Sequence, residues 1–314
     1  MIEKVRVAVV GVGNNTSALV QGIAFYRQTG SLVGINRPAI DGIGVGDIDF
    51  TAAFAMSEAK IGSDLTDAIF MPPNNFPRLR CDLPKADVPV TRGLVDASEV
   101  DRVAAALAGA EVVLYSAPSG RPATARAYAE AARRAGVAFV NTTSDPVARD
   151  RTVVEQFEAA GLPLIGDDLA SQFGTSVVHK ALLRLLEERG LTLVSSYQVN
   201  LGGTEDFRNL VENPDTKKQS KLNALPSTDK VQMAPLGYLS QLGSVKVAHL
   251  NLEAQSWGEM AVSLDVKLKV HDPSGAAGVN IDLIRMAASA RRSGRGGFLA
   301  DAAALLKSPP GTAG

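Results

Sequence analysis

Two lysines four residues apart close the stretch Tyr197–Lys221, YQVNLGGTEDFRNLVENPDTKKQSK. On a helix, Lys217 and Lys221 stack their ammonium groups on one face, where like charges repel by about a few tenths of a kcal/mol. Two readings fit: a solvated basic face, or a pair gathered around something anionic. A second cluster runs Gly166-Asp167-Asp168-Leu169-Ala170-Ser171-Gln172-Phe173-Gly174-Thr175 between an apolar run and a helical one. Asp and Ser there are good helix caps, worth about 1 kcal/mol each. The same helix-start amides, with Ser171 and Thr175, would also cradle a phosphate. A carboxylate at that place could bind cofactor hydroxyls, a cation or a catalytic lysine. Spacing alone leaves both readings open.

A third cluster, Gly11-Val12-Gly13-Asn14-Asn15-Thr16, follows the apolar run Val5–Val10 and precedes the helical pattern SALVQGIAFYR. Strand, glycine turn and helix are the setting in which GxG carries meaning. Gly11 permits a tight turn, and Gly13 lets a pyrophosphate approach the backbone at a helix N-terminus. Thr16 occupies the third fingerprint position, so the motif alone is not specific. His179, His249 and His271 lie on separate segments without metal-ligand spacing, and no HExxH, CxxC or Walker loop is present.

The segments that must position these residues alternate strand and helix. After Val5–Val10 come strands near Phe50–Phe54, Val88–Thr91, Glu111–Tyr115, Val137–Asn141 and Leu162–Ile165, separated by helical patterns. Such alternation predicts an α/β fold: a Rossmann-type doubly wound parallel sheet. Ala55 ends the second strand, where NAD-binding domains carry Asp or Glu, and no Arg suited to a 2′-phosphate adjoins it. The loop Ser116-Ala117-Pro118-Ser119-Gly120 leaves a strand's C-terminal end, where cofactors sit in open sheets. A polar linker follows Lys221. Two alternating segments, Val245–Glu253 and Met260–Val270, then predict a hairpin with one face packed and one free for a partner. Lys246 opens it, as edge lysines that block aggregation do. The tail returns to helices, the last ending near Leu305-Leu306-Lys307.

With 314 residues, 46% apolar and 21% charged, the chain has the composition of a globular enzyme. A formal net charge of −1 gives no bulk attraction for nucleic acid or anionic membrane. One cysteine, Cys81, excludes an intrachain disulfide, and the N-terminal apolar run is too short for a signal peptide or membrane span. A cytoplasmic location is expected.

The segments GVGNNTSALVQG, GVAFVNTT, GDDLASQFGTSVVHKAL, NLGGTEDFRNL…KKQSK, the Lys246 strand, AGVNIDLIR and LLKSPP resemble, in order, the myo-inositol-1-phosphate synthase family in its short bacterial and archaeal form. The resemblance covers nearly the whole chain and implies three parts. Residues 1–170 would be an NAD-binding Rossmann domain. Residues 171–272 would be an inserted α+β catalytic and tetramerisation domain, with the 245–270 sheet forming a homotetramer. Residues 273–314 would return to the first domain. It implies cyclisation of a hexose 6-phosphate, glucose 6-phosphate by default, through oxidation at C5, proton loss from C6, attack on C1 and re-reduction, with NAD recycled and a monovalent or divalent cation in some members.

Carried over by position, Lys217, Lys246 and Lys307 match the lysines of proton transfer and oxyanion stabilisation, and Asp168 and Asp206 match site carboxylates. Lys221 matches the phosphate-binding lysine, with Ser171, Gln172 and Thr175 in the phosphate loop. Gly11, Gly13, Asn14, Asn15, Ser116, Pro118, Asn141, Asp168 and Asp272 fall at the cofactor. The chain departs from the family at Ala55 (usually Asp), Ala170 (usually Lys) and Thr204 (usually Asn), and in two shortened segments. These changes open two alternatives: a five-membered carbocycle made from fructose 6-phosphate, as in carbocyclic nucleoside pathways, or a non-catalytic NAD-binding paralogue.

Overall fold

A computed structural model describes residues 3–212, 223–225, 229–233 and 237–312. Seven parallel strands form the main sheet in the order β14-β8-β7-β6-β1-β4-β5. These are β1 (Val5–Val10), β4 (Ile48–Ala55), β5 (Val90–Arg92), β6 (Val112–Tyr115), β7 (Ala138–Asn141), β8 (Pro163–Ile165) and β14 (Gly297–Phe298); β2 (Ala39–Ile40) and β3 (Ile43–Gly44) pair in a separate small hairpin, and α2 (Leu65–Ala68) is a single turn after β4. The strand order reverses beside β1, as in a dinucleotide-type sheet. Continuous apolar runs give strands buried on both faces: every residue of β6, β7 and β8 is buried.

One apolar layer, including Leu19, Ile23, Leu283 and Ile284, packs the face covered by α1 (Asn14–Thr29) and the long final helix α8 (Asp272–Arg292). The other, including Phe54, Tyr115, Tyr128, Phe139 and Phe157, lies under α3 (Val100–Ala106), α4 (Pro122–Arg134) and α5 (Arg151–Ala159). Helix α8 holds a wholly buried ion pair, Arg285 Nη2 to Asp282 at 2.6 Å. Arg285 also donates from Nη1 and Nη2 to the carbonyls of Arg37, Pro38 and Ile43, anchoring that segment, and from Nε to the Ile281 carbonyl.

The second sheet is built on β9 (Thr192–Gly202), β12 (Val245–Gln255) and β13 (Ala261–His271). Its inner face on β9 and β12 is covered by α6 (Thr175–Glu188). Three sequence expectations change here. The linker after Lys221 contains β10 (Val231–Met233) and β11 (Gly237–Tyr238), which pair in parallel with β9 and are too short to show a period. Strand β13 is half-buried at best, because α6 does not extend over it. The last helix is a single 3-10 segment, Ala300–Leu305, followed by extended chain.

Candidate active site

The C-terminal ends of β1, β6 and β7 lie level, since Val10 pairs with Tyr115 and Tyr115 with Asn141. The loops leaving them meet at the switch point. Gly11 adopts φ 96°, and a Cβ there would stand 2.6 Å from the Ser116 carbonyl oxygen, so only glycine fits. Gly13 caps α1 with open space before it, and the helix carries no acidic residue in its first turn. The result is a bare helix N-terminus facing a cavity of about 810 Å³. That cradle fits a dinucleotide's pyrophosphate.

Two loops are locked around it. Asn14 accepts from the backbone N–H groups of Asn75 and Phe76 and donates to Asn75 Oδ1. Its side chain therefore staples the loop, leaving the helix-start backbone toward the cavity. Asp145, fully buried, accepts from the N–H groups of Gly120 and Arg121 and shapes the 116–121 loop.

The lysines arrive from opposite ends of the chain. In the β9–β12–β13 register, Lys246 pairs with Gly202 on one side and Val270 on the other. Asp272 lies two residues past Val270, and its carboxylate takes the Lys246 ammonium as a close ion pair. Lys307 is placed by an antiparallel splice onto the Gly166–Ala170 segment: Lys307 N–H donates to the Asp168 carbonyl at 2.7 Å, and Asp167 and Ser308 exchange bonds. Lys307 Nζ then reaches Asp168 Oδ1 at 2.8 Å, with the two side chains 11% and 1% exposed. Asp168 holds φ 54°, a left-handed strain for a non-glycine residue, at the point where its carboxylate enters the cavity.

Asp167 anchors this segment. It accepts from Asn141 Nδ2 at 2.7 Å and from the N–H groups of Val147, Ala148 and Arg149. Burial raises its carboxyl above the usual range, and these donors pull the other way.

Glycines set the far wall. A Cβ on Gly202 would strike the Phe207 ring at 2.4 Å, and one on Gly203 the Gly243 nitrogen at 2.5 Å. Helix α7 (Glu205–Glu212) starts just beyond, and Asn209 donates to the Ser119 carbonyl, tying it to the 116–121 loop.

The cavity wall thus brings together Gly11, Gly13, Asn14, Asn15, Ser116, Pro118, Asp168, Ser171, Thr175, Asp206, Lys246, Asp272 and Lys307. Thr175 donates its hydroxyl to Asn200 at 2.8 Å. Two expected residues are not brought there. Asn141 is fully buried and its amide is used by Asp145, Asp167 and Thr143, so its role is structural. Gln172 donates to the Gly34 carbonyl and does not stand on the cavity wall. Lys217 and Lys221 lie outside the described residues. Lys246 and Lys307 each face a carboxylate. Among the described residues, no three His, Cys, Asp or Glu side chains are grouped to hold a metal ion.

Sequence reasoning missed Lys60. It lies on the cavity wall, 3% exposed, with Nζ 2.6 Å from the Val12 carbonyl and 2.9 Å from Asn74 Oδ1. Burial lowers its ammonium to about 8. No motif surrounds it in SEAKIGSD, so only its burial reveals it.

The myo-inositol-1-phosphate synthase family model matches residues 174–273. Inositol-3-phosphate synthase of Mycolicibacterium smegmatis is 38% identical over 98% of this chain and 93% of its own length. The crystal structure of Ari2 superposes with a TM-score of 0.89 at 51% identity, covering 99% of this chain and 94% of that one. Inositol-3-phosphate synthase of Caenorhabditis elegans shares the fold, with a TM-score of 0.74 at 15% identity over the whole of this chain and 82% of that one. Full-length similarity at this level, over a chain whose glycine-loop cavity holds two partly buried lysine–carboxylate pairs, shows that it belongs to the inositol-3-phosphate synthase family of isomerases.

Proposed function

We propose that the protein is an NAD-dependent cyclitol phosphate synthase that closes a carbocycle from a hexose 6-phosphate. The observation that carries this is that Lys246 and Lys307, 61 residues apart in sequence, both stand on the wall of the cavity that also holds the glycine loop. A nicotinamide bound there would supply reversible oxidation of the sugar's C5. Residues 1–170 with 273–314 would hold the dinucleotide, and 171–272 would carry the catalytic and assembly surfaces.

The chain's own groups cover the rest. Gly11, Gly13 and the first turn of α1 would seat the pyrophosphate, with Ser116 and Pro118 flanking it. Ser171, Thr175 and the amides opening α6, with Lys221, would fix the sugar's phosphate. Fixing the phosphate orients the far end of the sugar, which converts ring closure into a positioned intramolecular step. C6 must lose a proton, and charge then develops on the C5 and C1 oxygens in turn. Lys246, Lys307 and Lys217 would donate hydrogen bonds to those oxygens and move the proton. Asp168 and Asp272 hold the two described ammoniums in place before substrate arrives. Asp206, on the exposed first turn of α7, would border the sugar at the mouth.

The test is incubation of the protein with NAD and glucose 6-phosphate or fructose 6-phosphate, reading product by phosphorus and carbon NMR, with and without a chelator to read cation use. A carbocyclic phosphate from either sugar is expected. Its absence, with protein folded and NAD bound by calorimetry, removes the proposal. The fructose 6-phosphate reading has a specific support. Ala170 and Thr204, both departures, stand on the cavity wall. Preference for glucose 6-phosphate would refute that reading alone.

A further inference from the structure

Lys60 is a buried charge without a counter-charge. It is 3% exposed, and its ammonium meets two neutral acceptors, the Val12 carbonyl at 2.6 Å and Asn74 Oδ1 at 2.9 Å. No carboxylate among the described residues pairs with it. The other two described lysines on the cavity wall, Lys246 and Lys307, each hold a carboxylate. A buried cation is ordinarily paired, because desolvating it alone is costly. One kept dry and unpaired on a cavity wall is preorganised for an anion that arrives later.

The surrounding groups leave that charge standing. The two loops bonded to it, 11–15 and 72–75, carry no titratable side chain. On its own turn, Glu58 is taken by Arg92 of β5, and Asp64 accepts from the N–H groups of Thr66, Ala86 and Val88. The cavity's acidic residues, Asp168, Glu205, Asp206, Glu212 and Asp272, belong to the other strand ends and to α7. Asn74 donates to the same Val12 carbonyl and to that of Ile69, so the ammonium and both loops form one bonded block. Gly11, Gly13 and the bare start of α1 stand on the same cavity wall.

Resting on the dinucleotide reading above, we propose that Lys60 is the counter-charge of the cofactor's pyrophosphate, acting through its field beside the glycine loop while it stays bonded to Val12 and Asn74. The hydrogen bonds fix where the charge stands, and the charge supplies the attraction. An anion beside it stabilises the ammonium, so cofactor binding draws a proton onto Lys60 wherever the free protein has begun to lose one. Burial lowers the ammonium to about 8, which brings that loss close to neutral pH. The charged form is the one that binds, so affinity falls as pH rises through this range.

The experiment is calorimetric titration of the full-length protein with NAD at pH 7 and pH 9, for wild type and Lys60→Gln, with thermal unfolding run on each. A titration at pH 8.5 in two buffers of different ionisation enthalpy counts the protons taken up. Wild type is expected to bind at least about fivefold more weakly at pH 9 than at pH 7, and to take up about half a proton at pH 8.5. Lys60→Gln is expected to bind about tenfold more weakly at pH 7, with the pH slope and the proton uptake both gone. The wild-type measurements need no variant, so they decide the matter even if Lys60→Gln does not fold. Wild-type affinity that does not change with pH, or equal proton uptake in folded Lys60→Gln, overturns the proposal and leaves the dinucleotide reading standing. If folded wild type binds no NAD at either pH, the dinucleotide reading falls, and this proposal with it.

Discussion

Replacing Lys307 by Met separates what the buried pair does for stability from what it does for chemistry. Lys307 and Asp168 meet at 2.8 Å with almost no solvent access to the carboxylate. Removing one member of a buried ion pair costs about 3–5 kcal/mol, most of it the penalty on the charge left behind. Lys307 retains slight exposure, so about 3 kcal/mol applies here. Replacing both residues, as Lys307→Met with Asp168→Asn, removes the stranded charge too and should return stability to within about 1 kcal/mol of wild type. Turnover behaves differently. Losing one pre-aimed donor to a developing oxyanion costs about 100- to 1,000-fold, and the double variant does not regain it. Urea unfolding reads the first quantity and carbocycle formation by NMR the second. A double variant as unstable as the single one would show that the pair is not desolvated. Wild-type turnover in Lys307→Met would take Lys307 out of the catalytic machinery.

Three further outcomes follow from the same geometry. His179 is wholly buried against Ser196, and burial lowers its imidazolium from 6.5 to about 4. The unfolded chain therefore takes up the proton first, so this group's contribution is present above pH 6.5 and is lost as pH falls toward 4, about 3 kcal/mol in total; urea unfolding at pH 7, 5.5 and 4.5 should show that slope, flattened in His179→Gln. Gly11→Ala forces a Cβ to 2.6 Å from a backbone oxygen at φ 96°, and should cost about 2–4 kcal/mol and abolish NAD binding by calorimetry; retained affinity would mean the loop moves freely. The inner row of β13, Val262, Leu264, Val266, Leu268 and Val270, is not fully covered, and Trp257 and Met260 at the hairpin tip are 96% and 68% exposed. Light scattering should give four chain masses for wild type and a smaller assembly for Leu264→Lys, whereas monodisperse single chains would refute the tetramer.

The centre of the main sheet was readable because β1, β6, β7 and β8 are apolar runs bounded by turn residues, and strands buried on both faces look that way whatever covers them, whereas β14 (Gly297–Phe298) is too short to show a pattern and was not foreseen. Lys246 and Lys307 came from the family resemblance, not from spacing, since nothing local distinguishes either from a surface lysine. What could not be read is whatever depends on register. Asn141 sits at the end of a buried strand beside the 116–121 loop, which looks like a ligand's position, but its amide is used up by Asp145 and Asp167. Gln172 follows Ser171 directly and turns away to Gly34. Strands of two or three residues, such as β10 and β11, have no period to detect and exist because β9 offers them an edge.

Register also explains how chemistry is assembled from residues so far apart. The lysines are placed by backbone pairing first and by charge second. Lys246 is fixed by eleven ladder pairs between β12 and β13, which also deliver Asp272 to it. Lys307 is fixed by the splice onto the Asp167–Asp168 segment, which Asp167 in turn nails to the 147–149 amides. Each ammonium thus arrives with a carboxylate that is part of the same backbone device. Such a pair is electrically neutral at rest, so in the proposed reaction its help to a growing oxyanion would come from aimed N–H donors and not from standing positive charge. A reaction that must raise and then discharge an oxyanion at two successive oxygens is better served by paired lysines than by bare ones, because a bare buried ammonium would hold the first anion too tightly to let the second form.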